Sequence, residues 1–231
     1  MSFVITPPAQ VSVPVVGHTA RFPVNRVYCV GRNYVEHAKE MGFTGREPPF
    51  FFVKPADTCV VVEPGKTAQV RYPSLTKDFQ HEMELVVAIG TGGQQIAAAD
   101  AHQHIYGYAC GLDMTRRDLQ GEMKKLARPW CIGKTFDDAA PIGAITPAAQ
   151  AGDVANAELT LTVNGQVRQH SSVSKLIWNI GEIIEHLSAA WTLYPGDLIY
   201  TGTPDGVAAV VKGDVLVGRV GTLTPIELHI V

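Results

Sequence analysis

The run His81-Glu-Met-Glu-Leu-Val-Val-Ala-Ile-Gly90 sets two carboxylates into an otherwise apolar stretch. On a strand Glu82 and Glu84 are i and i+2, so both point to one face with Cα atoms roughly 6–7 Å apart. Like charges on such a strand repel each other and are costly to bury, and a divalent cation removes that cost. The alternative is a pair of solvated strand carboxylates. Asp113 ends a second apolar run, 105–112, where an Asp commonly serves as a turn or cap residue. As a third ligand beside Glu82 and Glu84 it completes an all-oxygen set. Such a set suits Mg²⁺, Mn²⁺ or Ca²⁺ rather than zinc and leaves positions open for a substrate.

A second cluster lies on a short helical pattern. His37 and Glu40 are i and i+3 and share a face, an arrangement in which the carboxylate orients the imidazole for deprotonating a water. An exposed ion pair is the alternative. Upstream, Arg32 follows Gly31 at a strand-to-helix turn, where it could fork onto a substrate carboxylate or stand in solvent. Lys54 after Phe50-Phe-Phe-Val and Lys134 after Trp130-Cys-Ile-Gly close apolar runs; each marks a carboxylate or oxyanion contact unless it snorkels to the surface. Arg116, Arg117 and Gln120 lie beside Asp113, with Arg117 and Gln120 on one helical face. His102 and His104 lack a nearby soft third ligand and read as loop histidines. Gly90-Thr-Gly-Gly-Gln-Gln95 begins like a nucleotide cradle, but Gln95 stands where the third glycine belongs.

These side chains need a scaffold, and the composition constrains it. With 46% hydrophobic and 18% charged residues in 231, the chain can bury a sizeable core as one main domain. The net charge of −3 and the lack of basic blocks give no support to nucleic-acid or anionic-membrane partners. No stretch reaches the ~20 apolar residues of a spanning helix, and no secretory signal is visible, so a cytoplasmic protein is expected. The four cysteines lack metal-ligand spacing and are expected as reduced, buried thiols.

Pro (15) and Gly (22) punctuate the chain so densely that short strands and turns are favoured over long helices. Residues 1–22 read as an extended arm leading into a strand over 26–30, with one catalytic domain over 23–231. Further strands are expected over 82–89, 105–112, 158–163, 198–201, 215–217 and 226–231. Asn164-Gly165 is a two-residue hairpin signal. Helices are expected over 34–41, capped by Asn33, over 119–127, with Thr115 and Asp118 at capping-box spacing, and over about 172–191 from the recurrence of Leu176, Ile177, Ile180, Ile183, Ile184 and Leu187. The fold class is mainly β with a few helices.

The ordered set Val27–Tyr34, Phe52–Pro55, His81–Leu85, Gly111–Gln120, Gly133–Phe136 and Thr201–Val207 resembles the fumarylacetoacetate hydrolase superfamily over about residues 26–231. The resemblance implies a β-roll or mixed β-sandwich, a divalent metal (usually Mg²⁺) and a homodimer. It assigns metal ligation to Glu82, Glu84 and Asp113, and a water-activating dyad to His37 and Glu40. It also places Gln120, Lys134 and Thr203 along the substrate or oxyanion site. Lys54, Arg32, Arg116 and Arg117 are the further candidates for contact with a diketo-acid substrate. The Pro-Pro-Phe-Phe-Phe run and the doubled arginine look closest to the fumarylpyruvate hydrolases within the acylpyruvate hydrolase group. The expected reaction is hydrolysis of a carbon–carbon bond in a 1,3-diketo acid. Oxaloacetate decarboxylation or keto–enol tautomerisation on the same scaffold is the alternative, and a non-catalytic β-protein the alternative from another class.

Overall fold

A computed structural model of the chain describes residues 2–35 and 46–231. In chain order the strands are β1 (Ser12–Pro14), β2 (Arg21–Pro23), β3 (Arg26–Val30), β4 (Phe51–Pro55), β5 (Cys59–Val61) and β6 (Ala68–Val70). They continue with β7 (Phe79–Gln80), β8 (Met83–Ile89), β9 (Ile105–Leu112), β10 (Thr115–Arg116), β11 (Ala140–Ile142) and β12 (Thr146–Pro147). The last are β13 (Glu158–Val163), β14 (Gln166–Ser172), β15 (Leu198–Tyr200), β16 (Val215–Val220) and β17 (Ile226–Ile230). The α-helices among the described residues are Arg117–Lys125, Cys131–Lys134 and Ile180–Ala190.

An eight-stranded sheet runs β4-β3-β15-β8-β9-β11-β5, with β12 beside β9; a five-stranded sheet runs β14-β13-β16-β17-β6. Most pairings are antiparallel, while β15–β3, β11–β5 and β17–β6 are parallel. This is the mainly β architecture expected from the sequence, with the larger sheet curled as a half-barrel. Strand β8 is buried at every position, which explains why it is apolar throughout except at Glu84. Its side chains serve three packed regions. Met83 and Leu85 join Leu112, Leu161, Leu216 and Leu228 between the sheets. Val86 and Ala88 face an inner core with Val27, Cys29 and Tyr200, and Val87 and Ile89 meet Ile183, Ile184 and Leu187 of the long helix. Asn164 (φ 51°) and Gly165 (φ 78°) both take left-handed backbone at the β13–β14 hairpin, as that dipeptide demands.

The helical expectations are revised in two places. The apolar spacing from 172 becomes a helix only over Ile180–Ala190, because Asn179 caps it in a reciprocal capping box with Glu182. Leu176 and Ile177 lie before it, held against Tyr34 and Asn33. The helix after Asp113 starts at Arg117, and Thr115 does not cap it: Thr115 pairs in β10 with β7, and its hydroxyl donates to Asp113 O. The Asn33 side chain accepts from Trp178 N–H and donates to Trp178 O and Thr201 O. The expected helix over 34–41 lies, from residue 36 onward, outside the described residues. The N-terminal arm is not extended throughout, since β1 and β2 form a hairpin that buries Val13, Val15 and Phe22. No described helix is long and apolar enough to cross a membrane. The four thiols are unpaired; Cys29 and Cys110 are buried, whereas Cys131 is exposed against expectation.

Candidate active site

Strand geometry alone brings two of the acidic residues together, and the pairing of β8 with β9 delivers the third. Glu84 stands opposite Gly111, and the N–H of Asp113 donates to Glu82 O at 2.9 Å. A Cβ at Gly111 would lie 2.5 Å from Val86 Cγ2 and 2.8 Å from Tyr200 Cε1, so glycine keeps the inner face open beside Glu84. Glu82, Glu84 and Asp113 each offer an oxygen, these atoms lie within 4.8 Å of one another, and all three residues are buried. Hard carboxylate oxygens at this spacing fit a divalent cation.

The local electrostatics argue the same way. Burial, followed by the charges of Asp113 and Glu82, pushes the Glu84 carboxyl well above the ordinary carboxylate range, although Gly202 N–H donates to its Oε2 at 2.7 Å. Three cations ring the cluster. Lys134, on the short helix Cys131–Lys134, places Nζ 2.8 Å from Glu82 Oε2, 2.8 Å from Asp113 Oδ2 and 2.7 Å from Thr115 Oγ1. Burial acts to lower its pKa, but Asp113 and Glu82 together outweigh that and hold the ammonium above its ordinary value. Arg117 contacts Glu82 Oε1 through Nη2, Gln80 Oε1 at 2.7 Å and Gln120 Oε1 at 2.6 Å. Gln120 is thereby fastened to the guanidinium, and Gly133 lets the Lys134 helix pack on the Gln120 backbone, where a Cβ would come within 2.7 Å.

Lys54 makes the carboxylate contact expected of it, with Asp113. It is fully buried, with Nζ 2.6 Å from Asp113 Oδ1, 2.6 Å from Ala139 O and 3.3 Å from Met114 O. It is a partner of the acidic cluster. Arg116 turns elsewhere, stacking over the Phe136 ring at 4.4 Å and donating to Ile132 O. Arg32 lies over the Phe50 ring at 5.2 Å, with Glu47 Oε2 3.8 Å away. Thr203 donates from Oγ1 to Met83 O at 2.8 Å, directly between the two glutamates. His37 and Glu40 lie outside the described residues. His102 and His104 each meet a backbone carbonyl, Ala99 O and Thr91 O.

Sequence reasoning missed two buried polar residues here. Gln169 on β14 reaches from the smaller sheet to the Met83 peptide, and His81 hydrogen-bonds to it. Burial pushes the His81 imidazole down to about 4, with the Gln169 hydrogen bond opposing. Only the inward position of Gln169 on an alternating strand hinted at burial, and that pattern names no partner.

A sequence pattern described as fumarylacetoacetate (FAA) hydrolase C-terminal matches residues 26–231. A fumarylpyruvate hydrolase of Ralstonia is 48% identical over 184 residues, 80% of this chain and 93% of that protein. An oxaloacetate tautomerase of Escherichia coli is 41% identical over 197 residues, 84% of this chain and 88% of that one. The crystal structure of fumarylpyruvate hydrolase from Pseudomonas aeruginosa in complex with Mn²⁺ and pyruvate superposes with a TM-score of 0.97 at 49% identity. It covers 100% of this chain and 99% of that one.

Proposed function

Because the chain belongs to the fumarylacetoacetate hydrolase family, we propose that it is a hydrolase cleaving a carbon–carbon bond of a 1,3-diketo acid. With fumarylpyruvate and one water, the products are fumarate and pyruvate. The observation that carries this reading is the buried triad of carboxylate oxygens within 4.8 Å, compensated by Lys54, Lys134 and Arg117. The similarity to fumarylpyruvate hydrolases from two bacteria supports the acyl group.

Glu82, Glu84 and Asp113 would hold the metal, for which Mg²⁺ is the proposed physiological ion. When bound, a divalent cation supplies Lewis-acid stabilisation of the negative charge that an α-keto acid develops as an enolate. The chain's own residues do the rest. Lys134 keeps its ammonium charged beside Glu82 and Asp113, where it can stabilise an oxyanion together with Gln120. Gln120 is oriented for that by Arg117, which makes Arg117 the one of the doubled arginines placed in the site. Arg32 is the proposed clamp for the terminal carboxylate. His37, oriented by Glu40, is the proposed base that takes the proton from the attacking water. A cytoplasmic homodimer is the proposed setting.

A second reading, oxaloacetate keto–enol tautomerisation, rests on the 41% identical tautomerase. Assays with fumarylpyruvate, short acylpyruvates and oxaloacetate in the presence of Mg²⁺ separate the two. Hydrolysis of fumarylpyruvate is the expected result; turnover of oxaloacetate alone sinks it in favour of the second reading. His37→Ala should abolish hydrolysis and spare cation binding, and substantial residual hydrolysis removes His37 as the base.

A further inference from the structure

Gln169 is fully buried on the edge strand of the smaller sheet, yet its amide is directed at the larger one. Its Oε1 accepts from Met83 N–H at 3.0 Å and lies 3.1 Å from His81 Nδ1. Its Nε2 donates to Thr203 Oγ1 at 2.8 Å and to Pro204 O at 2.9 Å. The orientation of the amide is not open to choice. Met83 N–H can only donate and Pro204 O can only accept, so oxygen and nitrogen are distinguished by their partners. Two consequences follow along the network. His81 must carry its proton on Nδ1. Thr203 Oγ1 must accept from Gln169, and its own proton goes to Met83 O at 2.8 Å.

The backbone of Met83 is therefore gripped at both of its peptide groups, its N–H by Gln169 and its C=O by Thr203, and Met83 is the residue between Glu82 and Glu84. The next residue back along the loop, Gly202, donates to Glu84 itself. The loop also passes hard against β14: a Cβ at Gly206 (φ +86°) would lie 2.1 Å from Arg168 O. A rotation of the Gln169 amide would face donor with donor and acceptor with acceptor, so the grip has one arrangement.

We infer that Gln169 is a positioning residue that acts on the candidate active site through Thr203, fixing the loop Gly202–Asp205 and the direction of the Thr203 hydroxyl. For the ligand class this rests on the diketo-acid reading above. Gln169 itself touches neither the acidic oxygens nor, in this assignment, the substrate.

A double-mutant cycle tests it. Gln169→Met keeps the shape and removes every amide hydrogen bond; Thr203→Val removes the hydroxyl. In the wild-type background Gln169→Met should lower kcat/KM for fumarylpyruvate about tenfold or more, as expected for buried polar groups left unpaired. In the Thr203→Val background the same change should cost at least about threefold less, because its contact with Thr203 is already gone and only those with Met83 N–H and Pro204 O remain to be lost. Equal losses in both backgrounds, or no loss, overturn the proposal and leave Gln169 a packing residue. Pyruvate binding in the presence of Mn²⁺, measured by calorimetry on the same four proteins, repeats the cycle without turnover. If no diketo acid is hydrolysed by the wild type, the functional reading fails while this binding cycle still decides the role of Gln169. Hydrogen–deuterium exchange of the cation-free protein adds a readout free of ligand. Gln169→Met should raise exchange over residues 202–208 and not in β16–β17, and unchanged exchange at 202–208 overturns the proposal. Should Gln169→Met not fold, Gln169→Leu, which has no group able to donate to Thr203, takes its place in each arm.

Discussion

Two buried sets of charge in this molecule are built to opposite ends. Asp197 is fully buried at the start of β15, and its carboxylate accepts from Asn25 Nδ2, from Arg26 Nε and Nη2, and from Tyr194 N–H, at 2.7, 3.1, 2.7 and 2.8 Å. One anion meets one cation and two neutral donors, and no like charge lies in the set. The acidic cluster on β8 and β9 instead holds three carboxylates within 4.8 Å; the three cations pair with Glu82 and Asp113, while the Glu84 carboxyl is still driven well upward. The first set ties β3 to β15. The second keeps an electrostatic stress at Glu84 that a bound divalent cation would remove, and a strongly perturbed carboxyl of this kind points to a functional cluster.

The contrast breaks most visibly at Glu84. Glu84→Gln keeps an oxygen for the Gly202 N–H but removes a like charge. It should lower divalent-cation affinity at least about 100-fold by calorimetry, and hydrolysis about 10³-fold. The cation-free variant should melt no lower than the wild type at neutral pH. A group whose folded pKa is raised favours the folded state while protonated, and that stability is lost as pH rises past the ordinary carboxylate range. A clear fall in the melting temperature of Glu84→Gln would mean that the cluster is as well satisfied as Asp197.

Lys134→Met removes a donor to Glu82, Asp113 and Thr115 at once. Hydrolysis should fall about 10²-fold through loss of oxyanion stabilisation, and the cation-free protein should lose stability because Glu82 and Asp113 lose the ammonium they share and keep Arg117 and Lys54. Unchanged kcat in stopped assays would confine Lys134 to a structural part.

Asp197→Ala gives the reverse signature. It should destabilise by about 2–3 kcal/mol in chemical denaturation, since it strands Arg26 and two other donors, with the partial exposure of Arg26 limiting the loss. Cation affinity should stay within about twofold. A large drop in that affinity would show the two sets to be coupled through β15.

The smallest effect is one of pH. The His81 imidazole, pushed down to about 4 when folded, stays neutral while the unfolded chain protonates near 6.5. The unfolded state then binds more protons, so stability is full above about 6.5 and declines as pH falls toward 4. His81→Asn keeps a donor toward Gln169 and should flatten that decline in melting temperature between pH 6.5 and 4. An unchanged slope would assign it to the carboxylates.

Much of this was open to reading along the chain. Period-two geometry set Glu82 and Glu84 on one face, and short apolar runs between turn residues delivered β3, β9 and β13 at their observed limits. Asn164-Gly165 announced its hairpin because its backbone preference is local. The reading failed where a local signal had a distant competitor. Thr115 had capping spacing, but Lys134 and Asp113 took its hydroxyl. Leu176 and Ile177 had helical spacing, but Asn33 held the segment outside the helix.

By itself, then, the amino-acid order determined the strand pattern, the turns and the types of ligand atom available, since these depend on neighbours a few residues away. Only the tertiary structure decided which charges share a site: that Lys54 belongs to Asp113, that Gln169 grips Met83 across 86 residues of chain, and that Asn33 meets Thr201 across 168. The physical reason is that a buried polar group must find a partner wherever the fold brings one within about 3 Å, and no periodicity in the sequence encodes a distance across two sheets.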